Sequence, residues 1–442
     1  MGRKPKNNSN ANSASNVSRP ASGVATEQQL LGRLEQRLVL VDFLMTELGY
    51  LAPPDQDEDM AILRNSRGMQ AMRNAFNTVN TADWADADNG YRAVLRNTAS
   101  EELLAGLDEY SERVEHYWQE LAEKNRLANN APTARMPLYF QYVSLILTEY
   151  LLDNVCNRKD EFLKRLESHR NAFNKRQFPS AKTWKQQNLE YVPAFTDADL
   201  HKQALYQATG SGKTLITHCH YLQVKYYFGD DYFSRFLLVT PNEDMSDQHV
   251  KELEESGIRG WLWKKGAKIP EDAQIIVIDI HKFKGLSGTA KGANQTTVDP
   301  AEFGGRNCLF VDEGHRGCTS GTMSVWLQYR KQLVEDGGFT FEYSATFGQA
   351  VKMEAEANND TLNAYCKSIY FDYSYKYFYH DGYGKDFRML GYAENNLRTL
   401  TDDDEARRYY TGSLLLYFQQ HKLLADDRRG QNRPCDFSLA TP

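Results

Sequence analysis

The segment Gln207-Ala208-Thr209-Gly210-Ser211-Gly212-Lys213-Thr214 decides the fold, because it stands between a predicted strand and a predicted helix. That context is the one a phosphate-binding loop requires. Glycine permits the turn that presents backbone N–H groups to phosphate oxygens, and the N-terminal end of the following helix adds positive potential. Gln207 replaces the first glycine of the strict pattern. We expect residues 209–214 to bind a nucleotide, with Lys213 on the β- and γ-phosphates and the Thr214 hydroxyl on Mg²⁺.

The sequence around this loop predicts an α/β domain with a mainly parallel sheet. Its short apolar segments contain apolar residues at consecutive positions and do not alternate with polar ones. This pattern is typical of parallel strands that are covered on both faces. The predicted strands are residues 204–206, 236–240, 275–280, 308–311 and 339–343. The predicted helices are residues 213–228 and 245–255. The segment 285–306 is too long for a simple connection between a strand and a helix, so we expect a mobile or ligand-facing loop there.

The sequence before the loop predicts helices. Apolar residues recur at helical spacing over 27–50, 101–127 and 138–173, and prolines stand between these segments. The first 25 residues are rich in Asn, Ser and Ala and predict disorder. The expected organisation is a disordered tail at 1–25, a helical accessory domain at 26–178, an α/β domain at 179–395, and a helical linker or the start of an incomplete second domain at 396–442.

A second motif follows about a hundred residues after the loop. Residues 307–311 predict a buried strand, and Asp312 and Glu313 come directly after it. Two adjacent carboxylates at a strand end suit a metal-and-base site, in which Asp312 holds Mg²⁺ through water and Glu313 polarises the attacking water. The sequence therefore predicts that Asp312 and Glu313 complete the site begun by Lys213 and Thr214.

The motifs in this order resemble motifs I, Ia, II and III of superfamily 2 helicases. The four matching segments are residues 208–214, 238–241, 312–315 and 344–346. The Asp-Glu-Gly-His variant, together with the aromatic stretch 371–379 and residues 382–386, is most similar to bacterial DEAD/DEAH-box proteins allied to the ATPase subunits of type I and type III restriction enzymes. The resemblance covers about residues 180–390.

The resemblance implies a RecA-like ATPase domain that uses ATP and Mg²⁺. It implies that Lys213 and Thr214 bind nucleotide and that Asp312 and Glu313 drive hydrolysis. It implies that His315, Ser344 and Thr346 link hydrolysis to the grip on nucleic acid. It also implies that Thr240 and Pro241 lie beside the nucleic-acid backbone.

The function implied is an ATP-dependent translocase or helicase of restriction or anti-phage type. DNA is the expected substrate, RNA the alternative, and a protein of the same defence system a further partner. Another class of function stays open: a nucleotide-controlled binding module without processive motor activity. A third interpretation is a truncated chain whose ATP site is a remnant.

Two features of the family pattern are missing. Before the loop, only Gln186 and Gln187 could supply an adenine-reading glutamine. After Thr346 no Gln-x-x-Gly-Arg-x-x-Arg motif follows, so the arginine finger of a second RecA-like domain is absent and we expect slow hydrolysis. A finger from within the chain would have to come from Arg428, Arg429 or Arg433.

Composition and charge exclude several classes of protein. No apolar run approaches the ~20 residues of a membrane span, and the basic first residues lead into Asn and Ser, so we expect a cytoplasmic protein. The six cysteines show no spacing typical of a zinc site or a disulfide framework. The net charge of -7 becomes -11 without the four basic residues of the tail (-7 - 4), so nucleic acid would be held in a local groove.

Two further patterns have ordinary structural interpretations. His218 and His220 lie two apart on a predicted helix, point in different directions and predict helix packing instead of a shared metal. The aromatic residues of 371–379 alternate, which predicts one face of a strand. That face is interpreted as packed, with base stacking as the alternative.

Overall fold

The computed structural model describes residues 27–56, 61–79, 90–177, 191–283, 298–313, 320–349, 360–384 and 403–426. The predictions for the tail at 1–25, and for Gln186, Gln187, His315, Arg428, Arg429 and Arg433, lie outside these residues. Packing divides the chain into two compact units, residues 1–384 and 385–442.

The helices of the first unit are α1 (Glu27–Glu35), α2 (Val39–Glu47), α3 (Ala61–Phe76), α4 (Gly90–Thr98), α5 (Glu101–Ala128), α6 (Tyr139–Asn157), α7 (Lys159–Gln177), α8 (Asp197–Leu200), α9 (Lys213–Phe228), α10 (Glu243–Glu255), α11 (Ser320–Val334), α12 (Asp360–Ser368) and α13 (Tyr375–His380). The second unit contributes α14 (Asp403–Asp426). No helix in the described ranges is both long enough and apolar enough to cross a bilayer.

The described residues form one sheet of seven parallel strands. The strands are β1 (Lys202–Gln207), β2 (Arg235–Thr240), β3 (Gly260–Leu262), β4 (Ile275–Asp279), β5 (Asn307–Asp312), β6 (Phe339–Ser344) and β7 (Ile369–Tyr373). Their order across the sheet is β3-β4-β2-β5-β6-β1-β7. The predicted α/β fold with a parallel, RecA-like sheet is confirmed, and all five predicted strands are present.

The apolar runs face two cores, which explains why they do not alternate. Leu238 and Val277 belong to the hydrophobic cluster on one face of the sheet, whereas their neighbours Leu237 and Ile276 belong to the cluster on the other. Every residue of β4 is buried. Because each strand stabilises two layers, its sequence has no polar face.

The helices before the sheet share the first of these clusters. It extends from Leu34 in α1 to Phe378 in α13 and includes residues of β1, β6 and β7. Almost every residue of α6 is buried, since this helix packs against α5, α7, α9 and β7. The helical segment before the sheet therefore covers one face of it; the boundary near residue 178 stays a prediction.

The aromatic alternation at 371–379 does not form a single strand, and this prediction is wrong beyond Tyr373. Ser374 begins α13 with an extended backbone at its N-cap position, and Tyr375 and Tyr379 lie exposed one turn apart on that helix. Phe371 and Tyr373 are buried in β7, as the packed-face interpretation predicted. A run of alternating aromatic residues favours a strand, but here the backbone turns into α13 after Ser374, whose side chain makes no cap hydrogen bond.

Other predictions differ in detail. The segment 27–50 is divided between α1 and α2, and the segment 138–173 is divided at Arg158 between α6 and α7. The predicted loop 285–306 is described only from residue 298, where it contains a short 3-10 helix, Pro300–Phe303. His218 and His220 are buried in α9, which confirms their role in helix packing.

A buried ion pair holds the helices together and gives a stability prediction. Arg64 Nε donates to Asp42 Oδ2 at 3.0 Å, and both side chains are fully buried. Burial alone would raise the pKa of Asp42, but hydrogen bonds and charge from His169, Arg64 and Arg176 lower it from 3.8 to about 2. The depressed pKa means that this stabilisation is present above about pH 4 and is lost as the pH falls toward 2.

We predict that Asp42→Asn lowers the free energy of unfolding by about 3–5 kcal/mol near neutral pH, because it leaves the buried Arg64 cation without a counter-charge. Urea denaturation measures this loss. Asp108→Asn is the control, because Asp108 forms its ion pair with Arg96 in solvent and should change stability by less than about 1 kcal/mol. Equal losses in the two variants would contradict the prediction.

Candidate functional site

The predicted phosphate loop connects the carboxyl end of β1 to the start of α9. Gly210 and Gly212 adopt φ of +85° and +86°, the left-handed region that favours glycine. A side chain at Gly210 would meet no atom within 4 Å. The loop therefore borders open space at the N-terminal end of a sixteen-residue helix, as anion binding requires.

Lys213 lies against its own loop. Its Nζ donates to the carbonyl oxygens of Gln207 and Ala208 at 3.2 and 3.3 Å. Thr209 is exposed, Ser211 is buried, and Thr214 is partly exposed in the first turn of α9. The Thr214 hydroxyl and the Asp312 carboxylate are hard oxygen ligands of the kind that Mg²⁺ takes, so the residues present fit the predicted ion.

The sheet brings the predicted acids to the same edge as the loop. Because β5, β6 and β1 are parallel neighbours, their carboxyl ends meet at one edge. The register pairs Asp312 with Tyr343, and Ser344 with Tyr206. Segments that are separated by about a hundred residues in sequence therefore converge at this edge.

Glu313 is tied to the end of β6. Its carboxylate accepts hydrogen bonds from Ser344 Oγ at 2.8 Å, Ala345 N at 2.7 Å and Thr346 Oγ1 at 3.5 Å. Glu313 is 5% exposed and has φ of +48°, which is uncommon for a residue other than glycine. Strained backbone of this kind persists where surrounding contacts enforce it, and it occurs frequently at functional sites.

Asp312 is bound by a residue that the sequence did not indicate. His249 Nε2 lies 3.0 Å from Asp312 Oδ2, and His249 is buried on α10. No periodicity or motif indicated this contact, because a single histidine on an amphipathic helix resembles any core residue.

Thr240 and Pro241 are buried where β2 leads into α10. Thr240 Oγ1 lies 2.6 Å from Ser246 Oγ and donates to the carbonyl of Asn242 at 3.1 Å. The Thr240 hydroxyl is therefore occupied by contacts within the protein. Contact between this segment and a nucleic-acid backbone stays a prediction.

Gln141 of α6 is a second residue that sequence reasoning missed. Its Nε2 donates to the Ser211 carbonyl at 2.8 Å, and its Oε1 accepts from the Leu138 N–H at 2.8 Å. A Cβ on Gly212 would approach Gln141 Nε2 to 2.4 Å. The phosphate loop and α6 thus fit closely at Gly212, and Gln141 joins the loop through its amide nitrogen and the N-terminal end of α6 through its amide oxygen.

A buried polar network fixes α9 against α5 and α6. Glu149 is fully buried and accepts hydrogen bonds from Arg113 Nε at 2.9 Å, Gln223 Nε2 at 2.9 Å and the Tyr227 hydroxyl at 2.8 Å. Burial raises the pKa of Glu149, whereas Arg113, Gln223 and Tyr227 act to lower it. The orientation of α9 depends on these contacts because an unpaired polar group is costly in the interior.

The histidines of α9 link it to other elements. His220 Nδ1 lies 2.7 Å from the Tyr343 hydroxyl of β6, and its Nε2 lies 3.2 Å from Thr148 Oγ1 of α6. His218 Nδ1 lies 2.9 Å from Ser256 Oγ. Burial lowers the pKa of each histidine to about 3, so both rings are neutral near pH 7.

A cavity of about 270 Å³ opens beside the start of α9. Gly212 and Thr214 line it on one side, and Arg135 and Asn129 line it from the segment that follows α5. Helices that precede the sheet therefore border the space next to the predicted metal-binding hydroxyl.

Comparison with known families agrees with this geometry. Residues 162–349 match the family model of the type III restriction enzyme res subunit, ResIII, a family of helicase superfamily 2. The match identifies a ResIII domain. No curated protein matches the chain. The ResIII match begins within α7 and includes the phosphate loop, Asp312, Glu313, Ser344 and Thr346, whereas α1 to α6 and Gln141 precede it.

We predict that Gln141→Leu loosens the phosphate loop, because the Ser211 carbonyl and the Leu138 N–H lose their partner. Each unsatisfied group should cost about 1–3 kcal/mol of unfolding free energy. Hydrogen exchange of residues 208–212 should become faster.

Gln119→Leu, on the exposed face of α5, is the control and should change neither quantity. If hydrogen exchange of residues 208–212 is unchanged or slower in Gln141→Leu, then Gln141 stabilises α6 and not the phosphate loop.

Proposed function

We propose that this chain is the ATPase part of a nucleic-acid translocase or helicase of restriction or anti-phage type, acting on DNA. The observation that carries the proposal is the convergence of the phosphate loop, Asp312 and Glu313 at one edge of the ResIII domain. ATP is the proposed substrate and Mg²⁺ the proposed ion.

The phosphate loop supplies binding and orientation. Its N–H groups and the start of α9 favour negative charge, and Lys213, whose ammonium lies against the carbonyl oxygens of Gln207 and Ala208, is the proposed partner of the β- and γ-phosphates. Thr214 and Asp312 would hold Mg²⁺. When bound, the ion neutralises charge that develops on the phosphate oxygens.

Glu313 is the proposed residue that orients water. Its carboxylate accepts hydrogen bonds from Ser344, Ala345 and Thr346 at the end of β6, beside the phosphate loop. The same donors fix the carboxylate in one orientation. The hydroxyls of Ser344 and Thr346 thereby connect the end of β6 to the proposed catalytic group, which supports their proposed role in coupling.

The net charge of -7 supports a nucleic-acid contact that is confined to a small part of the surface. The chain has 52 basic and 59 acidic residues, and this acidic balance favours a local nucleic-acid contact over a broad basic face. A groove at the carboxyl edge of the sheet, beside the start of α10, is the proposed contact. DNA is chosen over RNA because of the restriction-type resemblance.

We predict that Lys213→Ala weakens ATP binding by about 10- to 100-fold, since a charge-assisted hydrogen bond contributes roughly 1.5–3 kcal/mol. Isothermal titration calorimetry with Mg²⁺ measures the affinity. Lys251→Ala, a strongly exposed lysine of α10, should bind ATP like the parent. Unchanged affinity in Lys213→Ala would remove the nucleotide site from the proposal.

We predict that Glu313→Gln binds ATP within about threefold of the parent but lowers single-turnover hydrolysis by about 10²- to 10⁴-fold, because an amide cannot polarise water as a carboxylate does. Glu254→Gln, exposed on α10, is the control. The assay is run with and without double-stranded DNA, single-stranded DNA and RNA. A parent protein that binds ATP but never hydrolyses it would favour the nucleotide-controlled binding module instead.

A further inference from the structure

We propose that His249 is a positioning residue that links α10 to the metal-binding carboxylate of Asp312. Nucleic acid that engages the start of α10 would thereby alter the affinity of the site for Mg²⁺. This inference rests on the proposed function, because it assigns a regulatory contact to the same site.

The hydrogen bond has a defined direction. An ionised carboxylate can only accept, so the 3.0 Å contact requires that His249 Nε2 carry the hydrogen that is donated to Asp312 Oδ2. The side chains of His249 and Asp312 are 9% and 13% exposed. Among the described residues, His249 is the hydrogen-bond partner of the Asp312 carboxylate, so removing the ring frees that carboxylate to rotate.

The other ring nitrogen faces a second carboxylate. His249 Nδ1 lies 3.6 Å from Glu252 Oε2, three residues further along α10. The ring therefore stands between Glu252 on its own helix and Asp312 on β5. Neither His249 Nδ1 nor Glu252 Oε2 has a hydrogen-bond partner among the described residues, so the 3.0 Å contact with Asp312 is the one that orients the ring, as partners outside a metal site commonly orient a ligand.

The N-terminal end of α10 is fixed to the end of β2. Asn242 caps the helix by accepting the Met245 N–H at 2.9 Å, and Ser246 Oγ lies 2.6 Å from Thr240 Oγ1. His249 comes one turn after Ser246. A displacement of the segment at Thr240 and Pro241 would therefore move His249 as part of a short, well-bonded helix.

The two adjacent acids are held by different elements. Asp312 is bonded to α10 through His249, whereas Glu313 is bonded to Ser344, Ala345 and Thr346 at the end of β6. A movement of α10 would thus act on the metal ligand without displacing the proposed water-orienting group. Metal affinity, more than the position of Glu313, is the quantity that His249 should control.

The test compares His249→Leu, which removes the donor, with His249→Gln, whose amide can reach the position of Nε2. Asp247→Ala, on the exposed face of the same helix, is the control. The measurement is binding of a fluorescent, non-hydrolysable ATP analogue at increasing Mg²⁺, with and without a DNA duplex. The readout is the Mg²⁺ concentration that gives half of the gain in nucleotide affinity.

We expect His249→Leu to raise this midpoint by about 10- to 100-fold, the range found when partners outside a metal site are removed. His249→Gln should restore it to within about threefold, and Asp247→Ala should match the parent. DNA should shift the midpoint in the parent and in Asp247→Ala but not in His249→Leu. In the nucleotide-free protein, ¹⁵N NMR of labelled histidines should identify His249 with a protonated Nε2.

Each other outcome overturns a defined part of the proposal. An unchanged midpoint in His249→Leu, or an unprotonated Nε2, would overturn the positioning role and leave the nucleotide site intact. A midpoint that DNA does not shift in the parent would overturn transmission from α10. If His249→Leu fails to fold, His249→Gln is compared with Asp312→Asn. A Mg²⁺ midpoint that rises as much in His249→Gln as in Asp312→Asn would overturn the inference, because the glutamine amide should replace the histidine donor. A parent that binds no nucleotide overturns the proposed function itself.

Discussion

The structure depends on the burial of α9 between the sheet and the helices that precede it. Glu149 is the clearest sign of that constraint, because a carboxylate without solvent must be paired, and Arg113, Gln223 and Tyr227 supply its partners. These contacts fix the C-terminal half of α9, and His218 and His220 hold its middle. The position of the phosphate loop at its N-terminal end follows, since Lys213 and Thr214 begin the same helix.

The site is composite in a way that the family match alone does not reveal. The ResIII domain comprises residues 162–349, yet Gln141 and Glu149 come from α6, before that range. Gln141 binds the backbone of the phosphate loop directly, and Thr148 lies beside His220. In this chain α6 acts as a structural part of the proposed ATPase site, and a change in α6 would reach the loop through one buried amide.

At the carboxyl edge of the sheet, Asp312 and Glu313 are held by different neighbours. Glu313 has a strained backbone and three donors from the end of β6, so its orientation is strongly determined. Asp312 has the milder restraint of His249 on α10. The two adjacent acids can thus respond to different neighbours, because Asp312 ends β5 whereas Glu313 follows it with a left-handed backbone.

The sequence by itself determined the features that depend on neighbouring residues. The phosphate loop, the continuous apolar strands and the acids after β5 are local patterns, and the spacing of His218 and His220 already predicted separate packing. The aromatic alternation at 371–379 misled because Ser374 begins a helix within it. Only the tertiary structure decided the contacts of Gln141 with Ser211 and of His249 with Asp312, whose partners lie 70 and 63 residues apart. Such contacts leave no periodicity in the sequence, because each is made by a single polar side chain whose partner is set by how helices pack on the sheet.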